Sequence, residues 1–229
     1  MISVIVPIRN IPADFARIRR RVLASTELVE IIYVTDRTLR MPIALTSACE
    51  RQVIARRSGR GHALVQGACL AKGEIILFLH ADTLLPENWD FAVTSALSNG
   101  RVVGGGFSLK FDDDRMYLRW LVKLSDFLFR ISGELWGDRA LFVRADKLSD
   151  CLLVMDVPIM EDVRLSHCLN QVGHMALLPA SVITASDSFR RRGVVVQTVR
   201  ILLCRSLYTL GAPLSFIWRC YYGTTLAET

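Results

Sequence analysis

The sequence lacks the cysteine patterns that mark a zinc site or a disulfide framework. Its six cysteines lie far apart, with no C-x-x-C pair and no histidine at ligand spacing from two cysteines. Free, reduced thiols in a cytoplasmic compartment are the simplest interpretation, because disulfides are rare there. We therefore expect the cysteines at 49, 69, 151, 168, 204 and 220 all to be unpaired.

The sequence also lacks a clean membrane-spanning segment and a signal peptide. Residues 194–222 are strongly apolar, but charged, polar and proline residues leave no run of about 18 to 20 uncharged positions. The apolar residues 1–7 are too short for a signal peptide and have no basic flank or cleavage site. We expect a first strand there, and a chain that is cytoplasmic or at most peripheral at the inner face of the cell membrane.

The sequence has fewer acidic than basic residues. There are 22 of them against 28 lysines and arginines, so the net charge is +6, and the pI is about 9.2. This excess favours an anionic partner and, by itself, leaves nucleic acid, a nucleoside diphosphate and an acidic membrane surface open. The hydrophobic content of 52% is ample for a buried core and argues against disorder.

No G-x-G-x-x-G loop follows the first apolar run, where a dinucleotide-binding fold requires one. The residues there are Val6-Pro7-Ile8-Arg9-Asn10. A nicotinamide-dependent dehydrogenase therefore loses its main support.

The sequence does contain a regular alternation of strands and helices. Ile2–Val6, Asp14–Ala24 and Glu30–Thr35 predict a βαβ unit. The alternation predicts an α/β fold, a mostly parallel mixed sheet flanked by helices, over residues 1–189, with a basic and apolar helical extension of the same domain over 190–229. The further predicted elements are a helix near Pro42–Arg51, a strand at Gln52–Ala55, a turn at Ser58–Gly61 with a helix to about Lys72, a strand at Glu74–Leu79, a helix at Pro86–Ser98, a strand at Val102–Phe111 and a helix at Asp114–Ile131.

Four loops of this pattern are expected to meet in one crevice. Ligands of open α/β sheets bind beyond the carboxyl ends of the strands. That rule nominates Pro7–Asn10, Asp36, Gly59–His62 and His80–Asp82.

Asp82 comes directly after the buried strand and has two interpretations. A carboxylate there suits Mg2+ or Mn2+, which bind through one or two carboxylates and substrate phosphates. Alternatively, Asp82 begins the next helix as a cap.

The order of several motifs resembles family 2 glycosyltransferases, and in particular a small bacterial subgroup that has His-Ala-Asp in place of the usual D-x-D. The resemblance covers nearly the whole chain. The segments that carry it are Ile2–Pro7, Val34-Thr35-Asp36, Gly67-Ala68, Lys72–Asp82, Pro86–Trp89, Trp136–Arg144, Pro158–Ser166 and Ser188–Gly193.

The resemblance implies a GT-A (Rossmann-like) fold and an inverting glycosyltransferase that moves a sugar from a nucleotide-diphosphate sugar, UDP-type above all, to an acceptor hydroxyl. It implies that Asp82 holds Mg2+ or Mn2+. It leaves the class of the acceptor open, with a lipid-linked acceptor among the expectations. Nucleic acid is not expected to be a partner. The residues expected to bind the donor nucleotide are Pro7, Asp36, Arg60, His80 and Ala81.

The resemblance also makes Asp162 the general base, with Glu161 as its supporting or acceptor-binding partner. From the residues alone, both could simply be first-turn acids that complement a helix dipole over 161–172. His80 could likewise be a packing residue at a strand end. Positioning of donor or acceptor is assigned to Asp138, Arg190 and Arg192, although Gly137-Asp138 is also an ordinary turn pair.

The C-terminal segment carries an apolar stripe at helical spacing, surrounded by arginines. The stripe predicts either a helix on a membrane surface or a helix packed against the main domain. Its members are Val196, Val199, Leu203, Leu207 and Leu210.

Two other classes of function stay open on sequence grounds. A sugar-phosphate nucleotidyltransferase would use a glycine-rich phosphate loop, which Pro7–Asn10 does not supply. A non-catalytic module that binds nucleotides or membranes is suggested by the basic tail and by His80 at the first D-x-D position.

Overall fold

The computed structural model describes residues 1–36, 39, 41 and 48–225. Within them, eight strands form one mixed sheet in the order β3-β2-β1-β4-β7-β6-β8-β5. The strands are β1 (Ile2–Ile8), β2 (Val29–Thr35), β3 (Glu50–Ile54), β4 (Ile75–Phe78), β5 (Thr83–Leu84), β6 (Val102–Phe111), β7 (Leu141–Arg144) and β8 (His174–Thr184).

Helices cover both faces of the sheet and form the C-terminal end of the chain. They are α1 (Phe15–Leu23), α2 (Arg60–Ala68), α3 (Trp89–Ser98), α4 (Met116–Ser132), α5 (Ala145–Leu148), α6 (Leu152–Met155), α7 (Glu161–Val172), α8 (Asp187–Arg192), α9 (Val194–Thr209) and α10 (Leu214–Tyr222).

The parallel half of the sheet follows from its apolar runs. In β1 and β2 the branched apolar residues are buried on both faces, as expected for strands covered by helices on each side. β3, β2, β1 and β4 run parallel, so their carboxyl ends meet at one edge. β7 runs antiparallel to both β4 and β6, and β6 pairs in parallel with β8. The predicted mixed α/β sheet is confirmed.

Two apolar cores lie on the two faces of the sheet. On one face, Phe15 of α1 and Trp89 of α3 pack over β1, β6 and β7. On the other, Leu64 of α2 and Leu169 of α7 pack over β1, β2 and β4. A third, smaller core joins α9 and α10 to Ile159. The last core holds the C-terminal helices over the loop that precedes α7.

The predicted elements match the structure with a few differences. The helix expected near Pro42–Arg51 falls mostly outside the described residues, and its last two positions begin β3. α2 ends at Ala68, before the expected Lys72. α3 begins at Trp89 because Asn88 has a left-handed backbone, with φ of 52°. Asp82 precedes a strand, so the prediction of a helix cap is wrong.

The prediction of six free thiols is wrong for two of them. Cys151 and Cys168 form a disulfide, 17 residues apart in sequence. Cys151 precedes α6 and Cys168 lies on α7, and these helices pack against each other. Tertiary packing therefore brings together two thiols that sequence spacing does not pair. The remaining four, Cys49, Cys69, Cys204 and Cys220, have no disulfide.

The apolar stripe on α9 faces outward. The helix packs inward through Gln197 and Cys204, both buried, whereas Val196, Val199 and Leu203 stay exposed. Of the stripe, Leu207 packs against the third core, so the interpretation of the stripe as a packing face holds at that position and fails at the exposed ones. In the described part of the chain, no helix is both long and apolar enough to cross a bilayer.

Candidate active site

The carboxyl ends of β1, β2 and β4 border a cavity of about 720 Å³. The four nominated loops all contribute to its wall, as the strand order predicts. Its lining includes the predicted donor-binding residues Pro7, Asp36, Arg60, His80 and Ala81, together with Asp82.

Two glycines explain how Arg60 reaches the inner end of this cavity. Gly59 has a left-handed φ of +119°, and a Cβ there would lie 2.6 Å from the Cα of Pro158. A Cβ on Gly61 would lie 2.6 Å from the carbonyl oxygen of Met155. The start of α2 can therefore rest directly on the loop before α7, which brings Arg60 to Glu161.

Arg60 contacts three of the predicted site residues at once. Its Nε donates to Glu161 Oε1, its Nη2 lies 3.4 Å from Asp162 Oδ2, and its Nη1 lies 2.9 Å from His80 Nε2. Although burial acts to lower it, the two carboxylates raise the pKa of Arg60 well above its ordinary value. Arg60 therefore keeps its positive charge at the point where the start of α2, the start of α7 and the loop of His80 meet.

His80 connects Arg60 to Asp138. A guanidinium has no acceptor, so His80 Nε2 accepts from Arg60 and the ring proton resides on Nδ1. His80 Nδ1 lies 3.3 Å from Asp138 Oδ1. Burial, and then the charge of Arg60, lower the pKa of His80. The imidazole is neutral and both its nitrogens have partners, so it is more than a packing residue.

Asp162, the predicted general base, and its partner Glu161 lie in the first turn of α7. Met160, just before them, has φ of 66°, a conformation that non-glycine residues rarely adopt and that is enriched at functional sites. Glu161 is 1% exposed, and within the described residues its Oε2 has no hydrogen-bond partner. Burial raises the pKa of Glu161. Asp162 is only partly buried, and its Oδ1 accepts from the amide of Val163.

These carboxylates line a second cavity of about 150 Å³. Asp138, Glu161 and Asp162 contribute to its wall, and it shares Arg60 and Tyr222 with the first cavity. The position of both acids in the first turn of α7 also suits the helix dipole. The helical and the chemical interpretations of this motif are therefore compatible.

Asp82 stands apart from this cluster, on the wall of the first cavity. Its side chain is open to the cavity. Withdrawal of water by the surrounding protein nevertheless raises the pKa of Asp82, opposed by His80 and assisted by Asp138. Among the described residues, no group of three or more His, Cys, Asp or Glu side chains is arranged to hold a metal ion.

Trp218 and Tyr222 were missed in the sequence, and Arg9, which lies in the nominated loop Pro7–Asn10, was given no role there. Arg9 follows β1, and its guanidinium carbon lies 5.6 Å from the ring centroids of both Trp218 and Tyr222. Those two rings stack with centroids 4.2 Å apart. All three residues line the first cavity. Nothing in the sequence pattern relates position 9 to positions 218 and 222, so only the docking of α10 reveals them.

Arg190 and Arg192 are not brought into either cavity. Arg190 pairs with Asp112 at 3.1 Å, and Arg192 lies 3.5 Å from Gln197 Oε1. Their neighbour Arg191 lines the first cavity instead. Because α8 has six residues and turns by about 100° at each, consecutive arginines face different directions.

Two solved structures have a similar fold. S. aureus TarS residues 1–349 in complex with UDP-GlcNAc is 14% identical with a TM-score of 0.57, over 81% of this chain and 58% of that chain. GalNAc-T7 with UDP, GalNAc and Mn2+ is 14% identical with a TM-score of 0.61, over 81% of this chain and 44% of that chain. The chain thus spans about half the length of each. The shared architecture is the GT-A fold.

No curated protein matches the sequence. The sequence does match the family described as Glycosyl transferase family 2, over residues 3–151. This span contains the four loops of the first cavity and ends before Glu161 and Asp162. Since it covers well over half of the 229 residues, the chain belongs to glycosyl transferase family 2.

Proposed function

We propose that the protein is an inverting glycosyltransferase that moves a sugar from a nucleotide-diphosphate sugar to an acceptor hydroxyl. The observation that carries this proposal is that two cavities meet at Arg60, one with more arginines than carboxylates in its lining and one with more carboxylates than arginines. The first is lined by five arginines, at positions 9, 56, 57, 60 and 191, which suit a diphosphate. The second is lined by three carboxylates, which suit an acceptor hydroxyl that must lose a proton.

The nucleotide would lie along the ends of β1, β2 and β4. Asp36 is exposed at the end of β2, where its carboxylate can accept from a ribose or a base. Pro7 and Ala81 supply flat walls without competing charge. The known UDP complexes of the two similar structures support a UDP-type donor. His80 would act through its fixed tautomer, holding Arg60 and Asp138 rather than a metal.

The residues fit a divalent cation held chiefly by the substrate. Asp82 offers one oxygen ligand on the cavity wall, and Mg2+ and Mn2+ commonly use one or two carboxylates plus substrate phosphates. A cation bound there supplies positive charge to the departing nucleoside diphosphate. Arg60 and Arg9 would add fixed positive charge from the protein side, where preorganised groups act without reorganisation.

Asp162 would take the proton of the acceptor hydroxyl as that oxygen attacks the anomeric carbon. Its partial exposure to the second cavity leaves it reachable, whereas Glu161 is buried behind Arg60. Glu161 would therefore hold Arg60 in place beside the base. A single displacement of this kind inverts the anomeric centre.

Two substitutions test donor binding and the general base separately. Asp82→Asn is expected to weaken Mn2+-dependent UDP binding at least tenfold by calorimetry. Asp162→Asn is expected to keep UDP affinity and to lose transfer by two or more orders of magnitude. Asp150→Asn, in a turn remote from both cavities, is the matched control. Unchanged Mn2+-dependent affinity in Asp82→Asn would remove the metal assignment, and retained turnover in Asp162→Asn would remove the base.

We further propose that the protein rests on the cytoplasmic face of a membrane through its C-terminal segment. From residue 188 to 225 there are six arginines and no acidic residue. The exposed valines and leucines of α9 lie among them. Basic residues beside exposed apolar ones are the composition of helices that lie in a membrane interface. The predicted boundary between residues 189 and 190 falls inside α8, so the extension is continuous with the glycosyltransferase domain.

A further inference from the structure

An apolar passage leaves the carboxylate cavity on the side away from the donor. A cavity of about 120 Å³ adjoins it and shares Trp136, Asp138, Ile201 and Tyr221 with it. Beyond these shared residues, the wall of this passage is mostly apolar and comes from α4, α9, β6 and α8. It includes Leu121, Leu128, Leu202 and Phe189, together with the polar side chains of Ser125, Arg139 and Gln197.

The passage opens onto the protein surface. It shares Leu121, Leu124 and Thr198 with a groove of about 700 Å³ between α4 and α9. The groove is lined almost entirely by apolar side chains, among them Trp120 and Phe127. Three cavities thus lie in a row between Asp162 and the surface, and each shares lining residues with the next. The groove suits a hydrocarbon better than a hydroxyl-rich molecule, because its lining is apolar apart from Tyr117, Lys123 and Thr198.

The mouth of the groove is unusually apolar for a surface. Trp120 is 67%, Phe127 58% and Val195 76% exposed. Clusters of large exposed apolar residues mark a binding surface. Lys123 lies 5.7 Å from the ring centroid of Trp120, so that a cation and an amphipathic ring stand side by side at the rim. The neighbouring segment 188–225 has six arginines and no acidic residue, and two of these arginines, Arg190 and Arg205, pair with acids of other segments.

We infer that the acceptor is an amphiphile whose hydroxyl-bearing head lies beside Asp138 and Asp162 and whose hydrocarbon chain runs through the passage between α4 and α9 to the groove. The inference rests on the proposed function and names its acceptor class. The chain would enter from an anionic bilayer, since the basic surroundings of the groove complement acidic head groups. A second copy of the same face would bring like charges together, and this argues against a dimer as the occupant.

The test compares alkyl glucosides that differ only in chain length. Methyl, hexyl and octyl β-glucoside are titrated below their critical micelle concentrations into the full-length protein with UDP and Mn2+ present. Each methylene that enters the passage is expected to tighten binding by about fourfold, the effect of transferring one CH2 from water. Equal affinity for methyl and octyl glucoside would overturn the inference.

Two substitutions close the passage from different sides. Leu121→Trp and Thr198→Phe each place an aromatic ring where the passage meets the groove, and each is expected to abolish the dependence on chain length. Leu153→Trp, on α6 and 88% exposed, is the matched control and should keep it. Circular dichroism and UDP affinity on the same samples establish that each variant is folded. A folded variant of either kind that retains the full chain-length dependence would contradict the inference.

The outcomes also separate this inference from the proposed function. If UDP fails to bind while octyl glucoside binds far better than methyl glucoside, the donor assignment falls and the amphiphile site stands. If UDP binds and chain length has no effect, the glycosyltransferase proposal stands and the amphiphile site falls. Sedimentation showing a dimer that hides Trp120 would also overturn the inference. Flotation with vesicles containing phosphatidylglycerol, and not with phosphatidylcholine alone, is the result expected for entry from an anionic bilayer, and equal flotation with both would contradict it.

Discussion

Replacement of Arg60 by methionine tests whether the positive charge of Arg60 keeps the buried carboxylate of Glu161 ionised. The substitution leaves the nearly inaccessible Glu161 without its cation. A buried, unpaired carboxylate takes up a proton rather than stay charged, so the cost in folding free energy is limited by the cost of that proton. Glu161 has an ordinary value of 4.5 for its pKa, and each pH unit above it costs about 1.4 kcal/mol.

The loss of stability in Arg60→Met is therefore expected to reach at most about 3.5 kcal/mol at pH 7 and at most about 0.7 kcal/mol at pH 5. The sign follows from linkage: a carboxyl with a raised pKa in the folded state binds more protons when folded, so stability falls as pH rises above 4.5. The loss continues with rising pH until the folded-state pKa of Glu161 is passed.

Urea denaturation followed by circular dichroism, at pH 5, 6, 7 and 8, measures this difference at each pH. Arg57→Met is the matched control, because Arg57 pairs with Asp156 at an exposed position and such pairs contribute about 0 to 1 kcal/mol. Glu161→Gln in the Arg60→Met background should remove most of the pH dependence. A loss that is the same at all four pH values, or that grows as pH falls, would refute the reasoning.

Two further predictions concern the stability of the fold. Asp90 accepts hydrogen bonds from Ser25 and Thr26, and although burial opposes them they lower its pKa to about 2. Asp90→Asn should cost about 2 kcal/mol at pH 7, and the difference from the wild type should shrink as pH falls from about 4 toward 2; a constant difference in acid denaturation would contradict this. Gly61→Ala should destabilise by about 1 to 3 kcal/mol in thermal unfolding, because its Cβ meets backbone that cannot yield, whereas Gly100→Ala, with no atom within 4 Å, should be neutral. Equal melting temperatures for these two glycine variants would show that α2 can move away from the loop before α7.

The sequence was sufficient for the parallel half of the sheet and for the first cavity. β-branched runs such as Ile2–Val6 predict buried strands without reference to the rest of the chain. Once strands and helices alternate, chirality and topology bring the carboxyl ends of those strands to one crevice. For that reason Asp36, Arg60, His80 and Asp82 could be nominated together, and all four line the cavity.

Sequence spacing did not predict contacts between helices and loops that are far apart along the chain. The partner of Cys151 is Cys168 because two helices pack side by side, and the neighbours of Arg9 are two rings at the far end of the chain. The arginines of α8 show the same limit at finer scale, since a turn of about 100° per residue decides which of them enters the cavity. Arg191 does so, and its neighbours at 190 and 192 do not.

By itself, the sequence determined the fold class, the family, and the loops that carry the donor side of the site. These follow from local periodicity and from motifs whose residues are close along the chain. Only the tertiary structure decided that Arg60 joins Glu161 to His80, that most of the apolar stripe of α9 is exposed, and that an apolar cavity between α4 and α9 adjoins the cavity of Asp162. Each of these depends on packing between segments far apart in sequence, and helical periodicity reveals an apolar face without revealing what covers it.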